Sequence, residues 1–219
     1  MRAVLRFLAS VLVTSGLLVI GDAVLTLTWE EPVTSFFASR AQAGLGAELR
    51  RELPRLAAEE HALARIRDIN ARLAKLAALG RRQARSGHAI GRIELTTLHR
   101  SYYIVQGTDT SSLTKGPGHY ASSPFPGQGG TIAIAGHRTT YLAPFRPIDG
   151  LRRGDPIVLS MPYGRFTYVL TSLRVVLPTD LAVLRPVGYE QLVLTSCDPP
   201  YSASHRIVAF ARLRNEAPN

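Results

Sequence analysis

Three residues in the C-terminal half of the chain have types and spacing suited to covalent chemistry. Cys197 follows the run QLVLTS and precedes Asp198 and two prolines, a place from which a thiol can face a groove. His137 follows the run TIAIAG, and Arg206 begins the run RIVAFARL. A thiolate is a nucleophile, an imidazole transfers protons and a guanidinium stabilises a developing oxyanion. Together they predict a cysteine nucleophile with acid–base and oxyanion support.

Each of these residues also has a structural interpretation when it is taken alone. A lone cysteine commonly acts as a small buried apolar side chain, and the chain holds five histidines besides His137. Among 24 arginines, the default for Arg206 is a solvated surface position. The single cysteine excludes an intramolecular disulfide and a cysteine-cluster metal site. The catalytic interpretation therefore depends on the order and spacing of the three residues.

The runs that carry these residues predict a mainly β domain from about residue 89. Seven β-prone runs are separated by Gly- and Pro-rich stretches, which favours a closed β-barrel with few helices. No GxGxxG or P-loop motif supports nucleotide-dependent chemistry. The net charge is +10, but no zinc-finger, RRM-like or basic-zipper pattern accompanies it, so a nucleic-acid partner is not expected. The runs are GRIEL, YYIVQ, TIAIA, PIVLS, FTYVLTSLRVVL, QLVLTS and RIVAFARL.

The N-terminal segment predicts a membrane anchor. Residues 7–29 form a largely hydrophobic run with no charge apart from Asp22, and about 20 such residues span a bilayer. Arg2 and Arg6 precede the run, which places the N-terminus in the cytoplasm and the rest of the protein on the outer face of the cell membrane. A cleaved signal peptide is the alternative, but the cleavage-like triplet at residues 41–43 lies more than ten residues beyond the apolar run.

Helical sequence joins this anchor to the β-rich region. Pro54 predicts a helix break, and apolar residues recur at helical spacing from Leu56 to Leu79. Gly80 is expected to end this helix, and residues 81–88 are expected to form a linker. The predicted domains are a cytoplasmic tip and transmembrane anchor at 1–31, a helical stalk and linker at 32–88, and a catalytic β-barrel at 89–219.

The order of these motifs resembles the sortases, membrane-anchored cysteine transpeptidases with a β-barrel catalytic domain. Their signature of a T-L-x-T-C-type strand, followed by an arginine at the start of the next strand, stands here as Leu194-Thr195-Ser196-Cys197 with Arg206. The upstream histidine stands in Ala135-Gly136-His137-Arg138. The phrases VQGTDTSSLTKGPGHY and MPYGRFTYVL resemble the actinobacterial class E-type branch. The resemblance covers roughly residues 89–213.

This resemblance implies a reaction and its participants. A sorting signal of the LPxTG or LAxTG type is cleaved between Thr and Gly, and the acyl group passes through a thioacyl-enzyme to a peptidoglycan cross-bridge or pilin amine. Cys197 is the implied nucleophile, His137 the general acid/base, and Arg206 the oxyanion and positioning residue. No cofactor and no metal are implied. The predicted substrate-binding residues are Thr195, Ser196, His119 and Tyr120.

Asp198 departs from the class E-type pattern, in which a histidine often follows the cysteine. A carboxylate close to the thiol disfavours the thiolate. Other cysteine enzymes fit less well, because L,D-transpeptidases place an arginine two residues after the cysteine, where this chain has Pro199, and papain-like enzymes place the cysteine before the histidine. The remaining alternative is a catalytically silent, membrane-anchored β-barrel that binds a cell-wall component or a protein partner.

Overall fold

The computed structural model describes residues 2–28 and 32–219 and begins with a long apolar helix. Helix α1 spans Arg2–Thr28. Within it, Arg2–Val24 has a mean hydropathy of 2.2 and buries none of its surface in the protein. By length and composition this helix is able to cross a membrane, as the sequence predicts. The outer end of the predicted anchor, residues 29–31, lies outside the described residues.

Two further helices precede the barrel, with boundaries that differ from those predicted. Helix α2, Pro32–Leu63, runs through Pro54, which is exposed. An exposed proline removes one helical hydrogen bond without burying the carbonyl that loses it. Helix α3, Ile69–Gln83, begins where the Asp68 carboxylate accepts hydrogen bonds from the Asn70 and Ala71 amides. The expected break at Pro54 and end at Gly80 are therefore wrong, and the break falls at residues 64–68.

The rest of the described chain forms a closed eight-stranded barrel, as the sequence predicts. The strands are ordered β1-β2-β3-β4-β7-β8-β6-β5, and β5 pairs back onto β1. The β2–β3 and β4–β7 pairs are parallel, and the other neighbours are antiparallel. A four-residue helix, α4 at Thr110–Leu113, precedes β3. The strands are β1 Ala89–Leu95, β2 Arg100–Gln106, β3 Gly118–His119, β4 Thr131–Ala135, β5 Pro156–Met161, β6 Gly164–Val176, β7 Gln191–Asp198 and β8 His205–Ala217.

Strand β3 is the one barrel strand that the seven predicted runs do not include. It holds only Gly118 and His119, within a Gly- and Pro-rich stretch, so it has no apolar alternation to reveal it. A Cβ on Gly118 would lie 2.2 Å from the Gly107 carbonyl oxygen, so only glycine allows this close backbone approach. The short strand nevertheless completes the sheet between β2 and β4.

Helices α2 and α3 pack on the barrel. Leu73 and Leu76 of α3 are buried in the same apolar core as the barrel's inner side chains. From α2, the Gln42 side-chain amide donates to the carbonyls of Tyr103 and Lys115, and its carbonyl accepts from the Tyr103 amide. The helical region is therefore an integral layer of the fold and shares its core with the barrel.

Candidate active site

Strands β4, β7 and β8 lie side by side and separate an inner from an outer face. Side chains alternate along a strand, so every second residue shares a face. The inner side chains of these strands are part of the main core, whereas Val193, Val208 and Phe210 form a second cluster on the outer face. Cys197 and Arg206 continue the outer alternation of β7 and β8. The inner side chains are Ile132, Ile134, Leu192, Leu194, Ile207, Ala209 and Ala211.

The strand register brings the three predicted catalytic positions to one end of this outer face. Cys197 is the antiparallel partner of Arg206 across β7 and β8. Ala135 of β4 is the parallel partner of Thr195, and the Gly136 amide continues the ladder by donating to the Thr195 carbonyl at 3.0 Å. His137 lies two residues after Ala135, and Cys197 lies two residues after Thr195. The same register therefore places the histidine beside the cysteine and the arginine on its other side.

His137 lies in a restrained and partly desolvated position. Its side chain is half-buried, and burial lowers its pKa from the usual 6.5. Its Nε2 atom is buried without a hydrogen-bond partner among the described residues. The Tyr141 ring lies 5.1 Å from the imidazole, centroid to centroid. The ring is thus packed and partly desolvated, and its Nε2 makes no bond to any described residue.

The loop after His137 has an unusual backbone conformation. Tyr141, Leu142 and Ala143 have φ values of 51°, 66° and 39°, in the left-handed region that non-glycine residues rarely adopt. The Phe145 amide donates to the His137 carbonyl at 3.2 Å, and the Tyr141 amide donates to Thr34 Oγ1 of α2, also at 3.2 Å. Such strained backbone is often found at functional sites. Here it turns the chain so that the Tyr141 ring packs on His137.

Arg206 directs part of its guanidinium toward the β7–β8 loop. Its Nη1 donates to the Ala203 carbonyl at 3.0 Å and to the His205 carbonyl at 2.9 Å. An arginine carries five N–H donors, so these bonds leave further donors for a ligand on the outer face. The two bonds also restrict where the guanidinium lies relative to Cys197, its cross-strand neighbour.

Cys197 is an unpaired, half-buried thiol, and the neighbouring Asp198 has a cationic partner. Arg138 Nη1 donates to Asp198 Oδ1 at 3.2 Å. Only 3% of the Arg138 side chain is exposed, against 23% for Asp198. The carboxylate that the sequence places beside the thiol is therefore compensated by a buried guanidinium.

The four predicted substrate-binding residues separate into two pairs. Thr195 lies on the outer face two residues before Cys197, and its hydroxyl lies 3.1 Å from the Tyr120 hydroxyl. Ser196 points to the inner side, is 3% exposed and donates to the Gly136 carbonyl at 2.8 Å. His119 is 1% exposed. Thr195 and Tyr120 are therefore near the cysteine on the outer face, whereas Ser196 and His119 support the structure from inside.

His119 has both ring nitrogens engaged within the protein. Nδ1 lies 2.9 Å from Gln106 Oε1, and Nε2 lies 3.0 Å from the Pro124 carbonyl and 2.8 Å from Ser123 Oγ. Burial lowers its pKa to about 4, so the ring is neutral at physiological pH. With no ring nitrogen available and almost no exposed surface, His119 holds the segment that carries Tyr120 and does not line a ligand site.

The β6–β7 connection covers the outer face beyond Thr195. Its 3₁₀ helix, Leu181–Leu184, packs Val183 and Leu184 against the outer cluster of Val193, Val208 and Phe210. A cavity of about 250 Å³ lies beside this contact, between the Tyr120 segment and the covering loop. The outer cluster itself is buried by this contact, so the open space on this side of Thr195 is the cavity. The cavity is lined by Tyr120, Ser122, Ser123, Pro124, Gly130, Thr131, Ala133, Leu184 and Pro186.

Comparison with known proteins shows to which family this arrangement belongs. The Sortase domain family matches residues 93–214, which is more than half of the chain. The chain belongs to the sortase family. This match begins within β1 and ends within β8, so it includes every barrel strand and all three predicted catalytic positions.

Relatives within the sortase family support the class E-like resemblance. The chain is 36% identical to Sortase D of Bacillus subtilis over 115 residues, 52% of this chain and 57% of that protein. It is 32% identical to Sortase SrtE1 of Streptomyces coelicolor over 115 residues, 46% of this chain and 33% of that protein. The chain thus spans between a third and three-fifths of the length of these curated relatives.

A solved sortase structure has the same fold. Sortase E of Streptomyces avermitilis is 38% identical, with a TM-score of 0.56, and the match covers 61% of this chain and 93% of the solved one. Almost all of the solved chain is matched, whereas about two fifths of this chain lies outside the match. This sortase therefore shares its catalytic-domain fold with an actinobacterial class E enzyme.

Sequence reasoning about this sortase did not include Arg138 in the site. The residue directly follows His137, and its role depends on a contact with Asp198 across sixty residues of chain. The one indication in the sequence is that Arg138 and Asp198 have opposite charges and each directly follows a predicted catalytic residue. No cluster of three or more His, Cys, Asp or Glu suited to a metal ion occurs among the residues that the structure describes.

Proposed function

We propose that this protein is a cysteine transpeptidase that cleaves a sorting signal between Thr and Gly and transfers the acyl group to an amine. The observation that carries the proposal is the shared register of β4, β7 and β8. It supports the proposal because Cys197 pairs with Arg206 across β7 and β8, and His137 follows the β4 strand that runs parallel to β7. The family match supports the same activity.

The proposed acylation step uses a nucleophile, an oxyanion-stabilising group and a general acid. The Cys197 Sγ thiolate forms a bond to the carbonyl carbon of the signal's Thr, and the carbonyl electrons move to oxygen. Arg206 N–H groups stabilise that oxyanion. As the oxyanion collapses, the C–N bond to Gly breaks and His137 gives its proton to the departing amine. The products are a thioester on Cys197 and a free peptide with an N-terminal Gly.

Deacylation completes the proposed cycle. The incoming amine attacks the thioester carbonyl and loses a proton to His137, and the Cys197 thiolate leaves as the new amide forms. The acceptor is a peptidoglycan cross-bridge or pilin amine. Water at the same step would give hydrolysis. The Nε2 of His137 is buried without a partner among the described residues, so proton transfer through it would require a small reorientation of the ring when the amine binds.

The signal is proposed to lie along the outer face as an extended segment. Its Thr would lie near Cys197, with the Thr195 and Tyr120 hydroxyls close by. Its apolar residues would then extend toward the outer cluster under the β6–β7 loop. Both LPxTG and LAxTG signals fit this description, and the resemblance to class E enzymes favours LAxTG.

We also propose that helix α1 anchors the enzyme in the cell membrane with the barrel on the outer face. The site would then lie near the bilayer, because Thr34 in the first turn of α2 contacts the loop that follows His137. Only residues 29–31 separate that turn from the end of α1. Such a position would suit substrates that are themselves held at the membrane during export.

The proposal is tested by intact-mass measurement on the full chain in detergent. The protein is incubated with LAxTG or LPxTG peptides in the absence of an amine acceptor. We expect a mass gain equal to the acyl fragment, no gain in Cys197→Ala, and product release when a glycine amine is added. Retained turnover in Cys197→Ala would contradict the mechanism.

A negative result with both peptides would have a distinct meaning. If the folded protein has a reactive thiol but yields neither adduct nor cleavage, the chain does not process such signals. That outcome would favour the alternative of a silent, membrane-anchored barrel that binds a cell-wall component or protein partner. Circular dichroism of the same samples establishes that the protein is folded.

A further inference from the structure

Arg138 is a buried arginine at the junction of the two segments that carry the candidate catalytic residues. It directly follows His137, and its guanidinium reaches the segment after Cys197. Nη1 donates to the Cys197 carbonyl at 3.4 Å and to Asp198 Oδ1 at 3.2 Å. With 3% of its side chain exposed, the guanidinium is almost completely removed from water.

Two further bonds fix the other atoms of this guanidinium. Nε donates to the Arg146 carbonyl at 2.9 Å, and Nη2 lies 3.1 Å from Asp149 Oδ1. All three side-chain nitrogens of Arg138 are thus engaged. A planar guanidinium held at every nitrogen is a rigid connector, which a flexible lysine ammonium would not reproduce.

The parallel register explains why this connector lies where it does. Ala135 pairs with Thr195 in the β4–β7 register. Two residues later the two segments reach His137 and Cys197. The next residue in each segment is Arg138 or Asp198. Alternation places the first pair on the outer face and the second pair behind it. The Arg138–Asp198 ion pair therefore links the chain segment that carries His137 to the segment that carries Cys197.

Charge gives the connector a second role. The charged and titratable groups around Cys197 are His137 from the end of β4, Arg206 across on β8, Asp198 with its cross-strand partner His205, and Arg138. The Asp198 carboxylate alone opposes a thiolate at Cys197, because like charges repel. Since Arg138 is buried and hydrogen-bonded to that carboxylate, it offsets this repulsion at close range.

The geometry points to Arg138 as a positioning residue that acts through Asp198. It aligns the His137 and Cys197 segments and partly offsets the Asp198 carboxylate that would otherwise suppress the Cys197 thiolate, while its other end pairs with Asp149, whose side chain is 63% exposed. This inference rests on the proposed roles of Cys197 and His137. It also accounts for a functional thiol beside an aspartate in this chain.

The test measures the thiol itself, so it does not require that the sorting-signal activity be correct. The full chain in detergent is alkylated with iodoacetamide across a pH series, and Cys197 is its only cysteine. In Arg138→Gln, we expect alkylation at neutral pH to fall roughly tenfold and its pH midpoint to rise by about one unit. Adding Asp198→Asn to this variant should return the midpoint toward that of the parent protein.

Two further variants separate the effect of the Arg138 charge from its effect on the alignment of the two segments. They also keep the test informative if Arg138→Gln does not fold. Arg138→Lys keeps a positive charge but loses the fork, so we expect a near-parental alkylation profile with a reduced kcat on the signal peptide and little change in KM. Asp198→Asn alone replaces a partly exposed side chain, and its alkylation midpoint should move to lower pH. The matched control is Arg165→Gln, an exposed arginine on β6, which should leave the profile unchanged.

Three results would overturn the inference. The first is an Arg138→Gln profile equal to that of the parent protein. The second is a double variant no more reactive than Arg138→Gln, which would indicate a purely structural loss. The third is an Asp198→Asn midpoint that stays in place or rises. If these alkylation results hold but no signal peptide is processed, the charge arrangement stands and the proposed enzymatic function fails.

Discussion

At the scale of single residues, the proposed mechanism depends on a histidine that must give up and take back a proton. Burial lowers the pKa of His137, so its imidazole is mainly neutral at pH 7. Only the protonated ring can give a proton to the leaving glycine amine. Burial of His137 therefore disfavours the protonated ring that the proposed leaving-group step requires.

The first prediction concerns this titration. In Cys197→Ala, the NMR titration midpoint of the His137 ring should lie below the usual value of about 6.5, because desolvation penalises the charged ring. In the parent protein, His137→Gln should lower signal-peptide turnover by about 10²–10⁴-fold through loss of acid–base catalysis. The matched control is His61→Gln, on the exposed surface of α2, which should retain activity. A His137 midpoint above 6.5 would contradict the proposed desolvation.

The second prediction concerns His119 and the pH dependence of stability. The folded protein keeps this ring neutral down to a pKa of about 4, whereas an unfolded chain protonates it near 6.5. Between these values the unfolded state binds the additional proton, so the free energy of unfolding falls as pH falls. Relative to its value above pH 6.5, the free energy of unfolding is therefore lower by about 3 kcal/mol at pH 4 because of His119.

Denaturant unfolding at a series of pH values measures the effect. His119→Gln should flatten the slope of unfolding free energy against pH between about 6.5 and 4, since one differential proton is removed. His61→Gln, at an exposed position, should leave the slope as it is in the parent protein. An unchanged slope in His119→Gln would show that this ring binds protons equally in the folded and unfolded states, which would contradict the lowered pKa.

At the scale of elements, helix α3 completes the core of the catalytic barrel. Leu76 is 1% exposed within the main core, and Lys75 beside it is exposed. Leu76→Ala should reduce the free energy of unfolding by about 2–5 kcal/mol, the range for large-to-small changes in a packed core. Lys75→Ala on the same helical turn should change it by less than about 0.5 kcal/mol. Equal effects of the two substitutions would show that α3 is detached from the barrel.

The same elements show what the sequence could predict and what it could not. Apolar runs predict seven of the strands, because such runs are local in the sequence. The order of the motifs predicts the cysteine, histidine and arginine positions, because that order can be read along the chain. Strand β3 is not predicted by such a run, since Gly118 is selected by a close approach to Gly107 that only the folded chain contains. The start of α3 is set by the Asp68 cap, which is a weaker sequence signal than Pro54.

Side-chain direction in the site was the least predictable feature. Thr195 and Ser196 are adjacent in the signature, yet alternation sends one to the outer face and the other to the interior. His119 and Tyr120 divide in the same way. The Arg138–Asp198 contact does not follow from the sequence alone, because a contact across sixty residues depends on the β4–β7 register.

At the scale of the whole molecule, the proposed orientation places the barrel outside the membrane and the N-terminus inside. The single cysteine provides a direct test, because Cys197 lies in the barrel and is half-buried. In intact cells, a small membrane-impermeant maleimide should label the parent protein, since the arginines before the apolar run keep the N-terminus in the cytoplasm. A matched variant, Cys197→Ala with Ala3→Cys, should be labelled only after permeabilisation. Labelling with the opposite pattern would invert the topology, and a chain released from the membrane fraction without residues 1–43 would establish cleavage in place of anchoring.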